Sequence, residues 1–215
     1  MVSSIDNSYQ ETKQIMLGNA SIKQEFQSLV DWINEIYRVK PINIIYEYVD
    51  VVQRPRLEIC FEFDNEISLF MRNKLFFDDN KGNAILDKFK QLLQSKYNTD
   101  NMFVIFGNFS KIAKEDINNS ITKNELEILQ NVLNSKDLWT IDKCFSNITF
   151  FLYTDEQVKK YKNSDIVKEW TDKYFSLLKK YDIFDYFVRE DFSVLLDSKE
   201  NFDTNFKSNW FYYYR

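Results

Sequence analysis

The pattern of apolar and polar positions divides the chain into amphipathic helical stretches separated by short alternating or apolar runs. Residues 1 to 18 keep no clear period and read as a loosely docked N-terminal arm, with Ile15, Met16 and Leu17 available to tie it down. From Ser21 to about Arg38, Ile22, Phe26, Leu29, Ile33 and Ile36 or Tyr37 recur at the spacing of one helix face, and Ser21 with Gln24 supplies a capping box. Pro41 separates this helix from a run rich in Ile, Val and Tyr over 42 to 52. Residues 56 to 64 then alternate strictly, with Leu57, Ile59, Phe61 and Phe63 on one side and Glu58, Cys60, Glu62 and Asp64 on the other. Gln53, Arg54 and Pro55 lie between the two runs, so an antiparallel hairpin is expected.

The stretch 66 to 77 fits neither period cleanly and is read as a third strand. Asp78 to Gly82 is a turn, Ile85, Phe89, Leu92 and Leu93 mark a helix ending near Tyr97, and Met102 to Phe106 is a short buried strand. A helical stretch over about 110 to 135 has its best face at Leu126, Leu129, Val132 and Leu133, with a second capping box from Thr122 to Glu125. Strands are expected at 138 to 141 and 146 to 153. Ser164 caps a late helix whose face is Val167, Trp170, Tyr174, Leu178 and Tyr181, and Phe192 to Leu196 reads as a further strand. Strands broken irregularly by helices predict an α+β fold, with a mixed or largely antiparallel sheet and amphipathic helices packed on one or both faces. No internal repeat and no Pro/Gly-rich boundary is visible, so residues 19 to 215 are expected to form a single domain around one aromatic-rich core.

Composition changes this picture little. Phe and Tyr are abundant, at 20 and 13 copies, and Gly and Pro scarce, at 3 and 2; an AT-rich coding sequence biases usage in the same direction, so aromatic richness alone does not indicate a stacking surface. The net charge of -5 argues against general nucleic-acid binding, which draws on an excess of Lys and Arg. No apolar run is long enough to span a bilayer and the first residues lack a signal-peptide pattern, so a cytoplasmic protein without membrane contact is expected. Cys60 and Cys144 form no CxxC pair, in keeping with a reducing compartment.

The absence of histidine removes the Ser-His-Asp and Cys-His hydrolases, the HExxH metalloproteases and zinc sites that need an imidazole. Gly18, Gly82 and Gly107 form neither GxGxxG nor GxxxxGK, so the usual phosphate cradles are missing. Catalysis is therefore not expected to be the function, and no cofactor is implied.

Three constellations remain. Glu58, Glu62 and Asp64, joined by Asp50, would share one strand face and there hold Mg2+ for phosphodiester hydrolysis; a hairpin with one wet face gives the same alternation. The acidic C-terminal quarter, including Asp197, Glu200 and Asp203, would attract a basic protein partner. The terminal aromatics, including Trp210, Tyr212 and Tyr214, read as a last strand or docked tail, or as a patch for a partner or for self-association. The leading expectation is a non-enzymatic protein-binding module of an inhibitor or immunity type, with an acidic, aromatic-containing surface. Its alternatives are a metal-dependent phosphodiester hydrolase and a self-assembling structural protein, and oligomeric state is left open.

Overall fold

A computed structural model describes residues 3–73 and 75–215. The fold is α+β, with two mixed three-stranded sheets. The chain divides into two compact units, Met1–Ala113 and Lys114–Arg215. Each has its own buried apolar cluster, where the sequence pattern led us to expect one core.

In the first unit, α1 (Asn7–Met16) and α2 (Gln27–Tyr37) precede the hairpin β1 (Asn43–Val49) and β2 (Arg54–Phe61). There follow α3 (Asp64–Ser68), α4 (Asp79–Leu93) and β3 (Phe103–Asn108), and the division between the units falls within α5 (Phe109–Ser120). The sheet order is β1-β2-β3, with β2 antiparallel to β1 and parallel to β3. Alternation along β2 sends Leu57, Ile59 and Phe61 to the core, where α2 brings Leu29 and Ile33 and α4 brings Ile85 and Phe89. Phe70 closes the cluster, its ring stacked on Phe106 at 4.5 Å and on Phe61 at 5.1 Å.

Three expectations are corrected in this unit. The N-terminal arm contains α1, held through buried Tyr9, whose ring stacks on Phe109, and buried Thr12, whose hydroxyl accepts from Asn43 Nδ2 at 3.2 Å; Leu17 is exposed. The Ser21 capping box does not form, because residues 24–26 make a 3-10 turn and α2 begins only at Gln27. The stretch 66–77 is not a strand: α3 opens it, a lone Met71–Phe77 bridge follows, and residue 74 lies outside the described residues.

The second unit runs α6 (Lys123–Leu133), the hairpin β4 (Leu138–Cys144) and β5 (Asn147–Leu152), α7 (Asp155–Tyr161), α8 (Asp165–Leu178), β6 (Leu195–Ser198), α9 (Lys199–Phe206) and α10 (Trp210–Tyr213). Its sheet order is β4-β5-β6, again with one antiparallel and one parallel pairing. Ile148, Phe150 and Leu152 of β5 pack against Trp170, Tyr174 and Leu178 of α8.

The second unit therefore repeats the first: helix, hairpin, short helix, long helix, parallel strand, helix. The repeat extends to single hydrogen bonds. Phe61 of β2 lies opposite Asn108 of β3, and Leu152 of β5 opposite Ser198 of β6. Just beyond β2, the Glu66 carboxylate accepts from the N–H groups of Glu62 and Phe63 at 3.0 and 2.8 Å; just beyond β5, the Gln157 amide oxygen accepts from those of Tyr153 and Thr154 at 2.9 and 3.0 Å. The Ser110 N–H donates to the Glu62 carbonyl at 2.9 Å, as the Glu200 N–H does to the Tyr153 carbonyl at 3.2 Å. Asn108 caps α5 by accepting from the Lys111 N–H and donates to Asp64, while Ser198 caps α9 by accepting from the Asn201 N–H and donates to Asp155.

Candidate functional site

Ser198 starts α9, and Lys207 and Ser208, both in the left-handed region at φ 55° and 54°, turn the chain back so that α10 packs on the sheet face opposite the second core. This turn explains why the terminal aromatics form a docked helix and not a last strand. Trp210 stacks on Trp139 at 6.1 Å and lies 4.1 Å from Phe202, and Tyr213 meets Phe151 at 5.2 Å. Two phenols fix the tail: Tyr213 donates to the Asp197 carboxylate and Tyr214 to that of Asp142. Burial, and then donation to a carboxylate, pushes both phenols well above the ordinary tyrosine range.

The predicted partner-binding residues are thus gathered at one end of the second unit, but they divide by role. Asp197 also accepts from Asn201 Nδ2 at 2.9 and 3.0 Å. Asp203 holds Lys199 and the Ser208 hydroxyl, and the lysine first and the hydroxyl second keep its carboxyl below the usual range. Glu200 accepts from the Asp155 N–H at 3.0 Å. These acids and Tyr214 serve the internal frame. Facing outward are Phe211 at 68 % exposure, Tyr212 at 49 % and Trp210 at 37 %.

The strand carboxylates do not converge. Glu58 is buried in β2, 3.9 Å from the Arg56 guanidinium. β2 ends at Phe61, so Glu62 lies beyond the strand and Asp64 opens α3, where it accepts from Asn108. Among the described residues, no group of three acidic, Cys or His side chains could hold a metal ion. Burial pushes the Cys60 thiol far above the ordinary thiol range, which suits a packed side chain and not a nucleophile.

One feature has no signature in the sequence. Each unit carries a groove between its parallel edge strand and the first turns of its long helix. In the first unit Met102–Val104 faces Gly82, Asn83 and Leu86 of α4, enclosing about 490 Å3. In the second unit Phe192–Leu196 faces Val167, Lys168 and Thr171 of α8, enclosing about 690 Å3. Lys162, Lys168 and Arg189 line the second groove, and their separation along the chain leaves no motif to find. Comparison with protein-family models, curated proteins and solved structures finds no match. Among the described residues, no helix is long and apolar enough to cross a membrane.

Proposed function

We propose that the protein is a non-enzymatic cytosolic module that binds a protein partner through the outer face of α10. The observation that carries this reading is the fixed presentation of exposed aromatic rings: Tyr213 and Tyr214 anchor the helix, while Phe211, Tyr212 and the edge of Trp210 stay open to solvent. Rings held in place lose little conformational freedom on association, and aromatic side chains supply a large share of interface energy. The chain's net charge of -5 favours encounter with a basic partner by long-range steering, even though Asp197 and Asp203 are engaged within the molecule.

The test is capture of binding proteins from the native cytosol, at low and high salt, on the native chain and on a Phe211→Ala/Tyr212→Ala variant. A stoichiometric partner held by the native chain, weakened by salt and lost from the variant, supports the reading. Equal retention by both chains removes α10 from the interface. Self-association through the same rings would instead appear as a mass in solution that rises with concentration for the native chain only.

A further inference from the structure

We infer that the groove beside β6 is a second, independent interaction surface, which takes an extended acidic segment of a partner chain as an added strand. β6 is the terminal strand of its sheet, with order β4-β5-β6, and the edge of a sheet is a template for a further strand. Leu195 is 55 % exposed at this edge, and the groove floor beside it is apolar, formed by Val158, Val167, Phe192 and Leu196. An added strand would place alternate side chains against that floor and the others towards the rim.

Charge selects the occupant. Lys162, Lys168 and Arg189 line the groove and no carboxylate does, in a chain whose net charge is -5. Lys168 pairs with Asp165 and Arg189 with Asp172, but both carboxylates are mostly exposed and stand off the groove lining. Such surface pairs contribute little and can exchange for a partner's carboxylates at small cost. The first unit supplies an internal contrast. Its equivalent groove is smaller, about 490 Å3 against 690 Å3, and there Gly82 lets α4 come so close that an added Cβ would stand 3.1 Å from Val104. Among the described residues its charged lining is Arg72 with Asp78 and Asp79, so two carboxylates that the second groove lacks face any acidic segment there. One acidic segment per chain is expected.

The probes are fluorescent heptapeptides in which Val alternates with Glu, Lys or Gln, titrated into the full chain and read by anisotropy and by backbone amide shifts. The Glu peptide is expected to bind with one-to-one stoichiometry, about tenfold or more tightly than the Lys peptide, and more weakly as salt rises. Amide shifts should centre on Val194–Asp197 and on the first turns of α8. A Lys162→Glu/Lys168→Glu variant, both of whose sites are exposed, should weaken the Glu peptide by about tenfold or more. Phe211→Ala/Tyr212→Ala should leave it unchanged, which separates failure here from failure of the α10 reading. Equal binding of the Glu and Lys peptides, unchanged binding by the charge-reversed chain, shifts centred elsewhere, or no binding at about millimolar peptide would each overturn the inference.

Discussion

Glu66 in the first unit and Gln157 in the second perform one task with different chemistry. Each sits in the first turn of a short helix and reaches back to two N–H groups at the end of the preceding strand. Asn108 and Ser198 likewise cap the helix after the parallel strand and bind an aspartate at the start of the short helix, Asp64 or Asp155. The backbone groups needing partners are the same in both units, while any side chain that supplies an acceptor at the right reach will serve. The cores differ more freely, since Ile59 in β2 stands where Phe150 stands in β5, and both are fully buried. Truncation in these cores should have the largest effect. Phe150→Ala is expected to cost about 3–5 kcal/mol and Ile59→Ala about 2–5 kcal/mol. Amide hydrogen exchange resolves where each loss falls. Protection should drop chiefly in the unit that carries the substitution, and a uniform drop across both would break the picture of two separately filled cores.

The strand-end frame comes next in size. Glu66→Ala and Gln157→Ala each take the acceptor from two N–H groups, and urea denaturation should register a loss of about 1–3 kcal/mol, larger for Glu66 because its acceptor is charged. The exchanges Glu66→Gln and Gln157→Glu keep the acceptor and should stay within about 1 kcal/mol of the native chain. If they cost as much as alanine, the two frames are not interchangeable and the repeat is one of topology only. Smaller again is the anchoring of α10. Tyr214→Phe removes the donor to Asp142 and should cost about 1 kcal/mol, with a loss of near-UV dichroism as the Trp210–Trp139 stack loosens.

Elements with a strong period or a cap were legible in the sequence: the β1–β2 hairpin, the Thr122–Glu125 box of α6 and the Ser164 cap of α8 form where the pattern puts them, whereas α4 starts at Asp79, inside the expected Asp78–Gly82 turn, because the Asp78 carboxylate caps it, and ends at Leu93 and not near Tyr97. The repeat was not, because its matched positions carry Glu against Gln and Asn against Ser, and Asp64 with Asp155 is too little identity to detect. α3 was hidden for a related reason: apolar Ile67, Leu69 and Phe70 suggest a strand, while the signal for a turn is a carboxylate bonding backward to N–H groups. At the C-terminus the aromatic run was plain. Its division into anchors and exposed rings was not, since that depends on Asp142 and Asp197 from two strands meeting one helix. The basic groove was least legible, because only the fold brings its three cations together.

The smallest expected effect lies in a tie that the two units also share. Glu25, in the 3-10 turn before α2, accepts from Tyr97 beyond the end of α4; Glu125, in the first turn of α6, accepts from Tyr181 beyond the end of α8 at 2.8 Å. Both carboxyls are held below their ordinary value of 4.5, but for different leading reasons. Tyr97 and then Lys96 act on Glu25, whereas the Thr122 N–H acts on Glu125 before Tyr181 does. A carboxyl whose folded pKa is depressed leaves the folded state with fewer bound protons than the unfolded one. Its contribution is complete above 4.5 and is lost as pH falls through the folded value. At the alkaline end the sign reverses, because burial and then Glu25 raise the Tyr97 phenol to about 12, so its contribution is complete below 10.0 and fades as pH rises towards that value. Tyr97→Phe removes the first cause in one unit, and Tyr181→Phe only the second in the other. Hydrogen exchange followed as pH falls below 4.5 should therefore show acid sensitivity flattened in the first unit by Tyr97→Phe, with a weaker change in the second unit from Tyr181→Phe. Equal flattening would mean that the Thr122 cap does not hold Glu125 ionised and that the two ties are electrostatically alike.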